Sequence, residues 1–171
     1  TRSGLLRIAI IGATLCWVTG ASSQEQPQGP RLSTSGWSVS CLSASSTADL
    51  ICEATYSLTL ESSNEVFANL FVSPLAQNGD DPRYALRFQL PHGVRIPQGV
   101  SLMIDEAPPV QATIQTSGPA GLFARTELTP GLRTLLETGE TMTVSFDAMS
   151  GETLSFAVGL VGFSEVIEKM D

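Results

Sequence analysis

Trp37-Ser38-Val39-Ser40-Cys41 alternates large apolar residues with small polar ones, the pattern of a strand with one face in a core and one in water. The same period recurs through the rest of the chain. Leu50 to Leu60 carries it in Ile51, Cys52, Tyr56, Leu58 and Leu60, and Val66 to Val72 in Phe67, Leu70 and Phe71. Tyr84 to Leu90, Ser101 to Asp105 and Val110 to Gln115 read as further strands, with Pro- and Gly-punctuated connections between the first two. Asn78-Gly79-Asp80-Asp81-Pro82 is a turn by composition. Thr141 to Phe146 and Thr153 to Leu160 pair across the hairpin-length Met149-Ser150-Gly151-Glu152.

Two segments change period. Thr129 is an N-cap, Pro130 fits the first helical position, Leu132, Leu135 and Leu136 share a face, and Gly139 stands where a C-terminal cap belongs. Phe163 to Met170 places Val166, Ile167 and Met170 at helical spacing. The pattern predicts an all-β fold: an antiparallel β-sandwich or partly closed barrel of about eight strands, with one short inserted helix and a short C-terminal helix.

At the other end of the chain, Arg2 and Arg7 head an apolar run from Leu5 to Val18, followed by Thr19-Gly20-Ala21-Ser22-Ser23. A basic start, an apolar stretch and a small-residue exit predict a secretory signal peptide, residues 1–21, with cleavage after Ala21 or Ser23. The run is shorter than the roughly 20 residues that span a bilayer, so an uncleaved anchor is the weaker reading. Residues 22–35, rich in Ser, Gln, Gly and Pro, read as a flexible tether, and residues 36–171 as one β-rich domain. Export places the chain in the periplasm, at the cell surface or in the medium.

An oxidising compartment decides the cysteines. Cys16 leaves with the leader, and Cys41 and Cys52, with ten residues between them, are then expected to form a disulfide. Closing a loop of that size stabilises the fold by about 3 kcal/mol, chiefly through the unfolded chain. Cys-x-x-Cys redox chemistry and zinc ligation both need a spacing that is absent here.

The charge is −8, and loss of Arg2 and Arg7 with the leader takes it to −10. A surface of that sign disfavours nucleic acid and, after signal removal, anionic membrane, and it suits a cationic patch on a partner protein. His92, the single histidine, has no motif around it. Asp80-Asp81 and Asp105-Glu106 are the closest acid pairs, and both lie among turn residues where Asp commonly bonds its own backbone. Asn78, Asp80 and Asp81 lack the alternating oxygen ligands of a calcium loop. Trp37 beside the first cysteine reads as core packing against the disulfide. The residues therefore predict no catalytic site, no cofactor and no metal.

Gly36-Trp37-Ser38-Val39-Ser40-Cys41, the second cysteine at 52, and Leu90-Pro91-His92-Gly93-Val94-Arg95-Ile96-Pro97-Gln98-Gly99-Val100 leading into Leu102-Met103-Ile104-Asp105 are together more specific. With the late Gly162-Phe163, they resemble the invasion-associated locus B family of bacterial exported proteins over nearly the whole domain. The family usually carries a second cysteine pair flanking a Gly-containing turn. Here Ser117 and Leu122 occupy the matching positions, and Gly36 replaces the usual acidic neighbour of Trp37. The resemblance implies an exported protein without catalytic residues that binds another envelope or extracellular protein, in host-cell invasion where the family name applies. A small-ligand carrier or carboxylate-based hydrolase is the alternative. Two carboxylates converging in a pocket would mark that alternative.

Overall fold

The alternating segments form nine strands in a computed structural model that describes residues 31–43, 50–75 and 83–171. The predicted signal peptide, most of the tether and the Asn78–Pro82 turn lie outside the described residues. The strands are β1 (Leu32–Ser43), β2 (Leu50–Leu60), β3 (Val66–Pro74), β4 (Tyr84–Leu90), β5 (Val100–Ile104), β6 (Val110–Gly118), β7 (Gly121–Glu127), β8 (Thr141–Asp147) and β9 (Thr153–Gly159). Helix α1 (Pro130–Thr138) joins β7 to β8, and α2 (Phe163–Glu168) follows β9. All nine strands belong to one antiparallel sheet in the order β1-β2-β3-β4-β7-β6-β5-β8-β9.

Period-two patterning turns one side chain of each pair inward, and the sheet curls around what it buries. Tyr56, Leu58, Leu70, Phe88, Leu102, Ile104, Met142, Val144 and Val158 all face a single core, and no polar or charged residue among those described is buried with them. Strand β6 supplies the corner: its first residues pair with β5, and from Thr113 onward it pairs with β7, with a register shift between Ile114 and Thr116. A bulge of this kind bends and twists a strand.

The two edges, β1 and β9, share no ladder. They are joined through side chains instead. The Trp37 indole N–H donates to the Gly159 carbonyl at 2.9 Å, and the Gly159 N–H donates to the Tyr56 hydroxyl at 3.2 Å. The Trp37 ring lies 5.0 Å from Phe163, edge-on, and 5.2 Å from Tyr56. Phe163, Val166 and Ile167 of α2 are buried beneath this seam. The result is the partly closed barrel of the two architectures that the pattern allows. Trp37 does pack into the core, and its ring neighbours there are Tyr56 and Phe163.

Three features differ from the sequence reading. Strand β1 starts at Leu32, so residues 32–35 are strand and not tether: Leu32 is half-buried opposite Leu60, and Ser33 and Thr59 share a hydroxyl hydrogen bond of 2.6 Å. Gly36, with φ +73°, sits in the bulge between Thr34 and Trp37, where a glycine resembles a boundary while the strand runs through. Strand β7 is a ninth strand, in a stretch that reads as part of a turn. Its connection to β6 is only Pro119-Ala120, and its inward residues include Ala124, a weak hydrophobic signal. Gly121 opens it with φ +124°, and a Cβ there would fall 2.1 Å from the Leu90 carbonyl oxygen.

Helix α1 begins as predicted, with the Thr129 hydroxyl accepting from the Leu132 N–H at 3.3 Å. It ends at the predicted cap, Gly139, whose N–H donates to the Leu135 carbonyl at 2.9 Å. The backbone there is extended, φ −77°, and glycine is required by close approach, since an added Cβ would lie 2.6 Å from Ile104 Cγ2 and 2.8 Å from the Leu135 carbonyl oxygen. Leu132 and Leu136 are buried, and Leu135 is half-buried against the core. On the outer side Arg133 bonds Glu137 at 2.6 Å and Asp171 at 2.7 Å. The Arg133 hydrogen bond holds the Asp171 carboxyl below its ordinary value. Burial first, and Asp171 next, raise the Tyr84 hydroxyl, which donates to the Met170 carbonyl at 2.8 Å.

Leu136→Ala is expected to destabilise the domain by roughly 2 to 5 kcal/mol in urea unfolding, and Leu135→Ala by clearly less. Trp37→Phe keeps an aromatic ring but loses the bond to Gly159, a cost of about 1 kcal/mol. Hydrogen exchange should then accelerate in β9 and α2 before it does in β3 and β4.

Candidate functional site: an apolar hollow on a rigid loop

Each side chain with potential chemistry has a structural partner or stands apart from the others. Cys41 and Cys52 are bonded and are register partners in the β1–β2 ladder. His92 is exposed on the loop after β4, its Nε2 3.4 Å from the Pro119 carbonyl oxygen. Asp105, with φ +46°, does not bond its own turn. Its carboxylate reaches across 35 residues to accept the N–H groups of Glu140 and Thr141 at 3.1 and 3.0 Å. Glu106 is exposed beside it. Asp147 accepts the Thr153 hydroxyl at 2.7 Å, and Glu53 is paired with Arg87. The residues Asn78, Asp80 and Asp81 are outside the described part. Among the described residues no three His, Cys, Asp or Glu side chains are gathered as metal ligands.

What the fold does present is the loop between β4 and β5. Pro91, Pro97, Gly93 (φ +89°) and Gly99 (φ +68°) fix its path, and a Cβ on Gly99 would meet the Ala112 carbonyl oxygen at 2.8 Å. Two backbone hydrogen bonds tie it to the β8–β9 hairpin. Arg95 N–H donates to the Asp147 carbonyl and Met149 N–H to the Gly93 carbonyl, both at 2.7 Å, and together they form the Val94–Ala148 bridge. A single 3-10 turn, Ile96–Gln98, completes the loop. Anchored in this way, Val94, Arg95, Ile96, Pro97, Gln98 and Met149 line a hollow of about 470 Å³. Ile96 is 54% exposed and Met149 68% exposed. Such large apolar groups on a braced loop offer burial to a partner at little entropic cost. Sequence reading marks Pro91 to Gly99 as distinctive but does not foresee Met149 beside Ile96, since only the Val94–Ala148 bridge brings them together.

Comparison with known proteins places this geometry. The family model described as "Invasion associated locus B (IalB) protein" matches residues 37–171, which include both hairpins around the loop. Among solved structures, the crystal structure of invasion associated protein B from Bartonella henselae is similar. Its TM-score is 0.67 at 20% identity, covering 78% of this chain and 89% of that one, a likeness of fold. No curated protein matches. Ser117 and Leu122, at the positions where the family usually has its second cysteine pair, stand directly opposite each other in the β6–β7 ladder, the same relation as Cys41 and Cys52.

Asp105 is expected to behave as a brace between β5 and the entry to β8. Asp105→Ala should lower stability by roughly 1.5 to 3 kcal/mol, because two backbone N–H groups lose a charged acceptor, and Glu106→Ala should stay within about 0.5 kcal/mol of the parent. Chemical denaturation of the two variants, side by side, reads the difference.

Proposed function

The chain belongs to the invasion associated locus B family, and from that premise we propose that it is an exported, noncatalytic protein that binds another protein of the bacterial envelope or the extracellular space, with host-cell invasion as the family's setting. The observation that carries this reading is the exposed Ile96 and Met149 pair on its braced loop. Apolar side chains held in place at a surface supply the buried centre that protein interfaces need. The partner's chemistry follows from charge: a chain at −8 steers toward a basic surface, and the approach weakens as salt screens it.

The hydrolase alternative needs paired acids. Four hollows on the described surface contain at most one carboxylate each: Asp147 in one, Glu53 in two others, and none beside Ile96. Asp105 is occupied as a backbone brace. No helix among the described residues is long and apolar enough to cross a membrane.

Affinity capture from the cell envelope under mild crosslinking, with the parent and an Ile96→Asp/Met149→Asp variant, tests the reading. The expected outcome is a protein retained by the parent, released by the variant and bound more slowly as salt rises. Equal capture by both would move the interface elsewhere. Turnover in a broad activity screen that vanishes in a folded Glu106→Ala or Asp147→Asn variant would replace binding with catalysis.

A further inference from the structure

The outward face of the sheet carries a second constellation, which shares no residue with the loop hollow. Register aligns Thr55, Phe71, Arg87, Arg125 and Thr113 in one row across β2, β3, β4, β7 and β6. Arg87 is fully engaged: it pairs with Glu53, donates to the Ser73 hydroxyl at 3.1 Å, and lies 5.3 Å over the Phe71 ring. Arg125, its direct cross-strand neighbour, has no hydrogen bond or ion pair among the described residues. Two guanidinium groups facing each other across a ladder repel, and Glu53 answers only the first. On a protein of net charge −8 with nine lysines and arginines in all, Glu53 is the one carboxylate that lines the described hollows beside this pair.

The surroundings of Arg125 describe what would compensate it. Arg125 lines a hollow of about 400 Å³ with Phe71, Phe123, Gln115, Thr116 and the Glu53–Arg87 ion pair, a volume within the range of small-molecule sites. Phe123, two residues earlier on the same strand face, offers a half-buried aromatic surface. A free guanidinium is a planar fork that matches a carboxylate, and an aromatic ring beside it accepts a flat apolar body. We infer that this face binds a small organic acid, its carboxylate on Arg125 and its flat apolar part on Phe123, with Gln115 and Thr116 available for polar substituents. The ligand's charge answers Arg125, which has no acidic partner among the described residues, while Glu53 stays on Arg87.

Phenylacetate and its neutral isostere phenylacetamide are suitable probes, titrated into the isotopically labelled protein and followed by amide and side-chain shifts. Phenylacetate should give saturable shifts centred on Phe123 and Arg125, with Kd on the order of 1 mM for so small a ligand. Phenylacetamide should bind about tenfold more weakly, because the charge-assisted pair is lost. Arg125→Gln should cost about the same factor for phenylacetate and leave the phenylacetamide affinity unchanged. Lys169→Gln, an equal change of charge on the exposed end of α2, should leave both unchanged. Equal affinity for the two probes, shifts that never saturate, or an identical loss in Lys169→Gln would each overturn the assignment. So would a longer peptide ending in phenylalanine that binds far more tightly than phenylacetate, since the site would then be a chain-terminus reader. None of these outcomes bears on partner capture through Ile96 and Met149, so the two sites succeed or fail separately.

Discussion

The Trp37 indole is the contact on which the architecture turns. A nine-stranded sheet that is apolar on one face must close on itself or leave that face and two edges open, and an unpaired edge is a template for aggregation. Here β1 and β9 never form a ladder. One side chain bridges them, with its N–H on Gly159 and its ring between Tyr56 and Phe163. Closure by an aromatic side chain leaves space that a ladder would remove, and α2 fills it with Phe163, Val166 and Ile167. The last residues of the chain are then held from outside, through Tyr84 on Met170 and Arg133 on Asp171.

With the core of the described residues wholly apolar, polar groups stand at the rim, where Asp105 braces backbone and Glu53, Glu127, Glu137 and Asp171 neutralise arginines. Asp105 ties β5 to the segment that follows α1, and Asp147 ties β8 to β9. The same logic stiffens the loop that bears Ile96: two backbone hydrogen bonds and two prolines hold it, so its apolar tip stays in water without collapsing onto the core. Binding through such a surface loses little freedom on association. Arg125 has no ion pair among the described residues, and it has an aromatic ring and a hollow beside it.

The staple at Cys41 and Cys52 joins the edge strand β1 to β2, where sheet stability is lowest, because β1 has neighbours on one side only. At the β6–β7 hairpin, Ser117 opposite Leu122 forgoes a second staple. That hairpin is inside the sheet, flanked by β4 and β5, and a two-residue connection already fixes its register. The short connection and the β4 ladder partner of Leu122 hold there what a covalent bridge holds at the edge.

Local chemistry determined the elements. Alternation in Trp37 to Cys41 and its repeats gave the strands, and Thr129-Pro130 gave the start of α1, each through interactions within a few residues. Where the decisive partner is distant, sequence could not supply it. Gly139 reads as a helix cap and is one, but its close approach to Ile104 shows only in the fold; Asp105 reads as a turn residue and holds residues 140 and 141; Gly36 reads as a boundary and is a bulge within β1. Strand β7 was hidden because Ala124 marks its inward face only weakly and its turn is two residues long. The loop hollow and the arginine row exist only through register, since Ile96 meets Met149, and Arg87 meets Arg125, by strand pairing across 53 and 38 positions of chain. Period and composition set which face of a strand is apolar; which strands become neighbours is set by closing the sheet around one core, and both candidate sites are products of that closure.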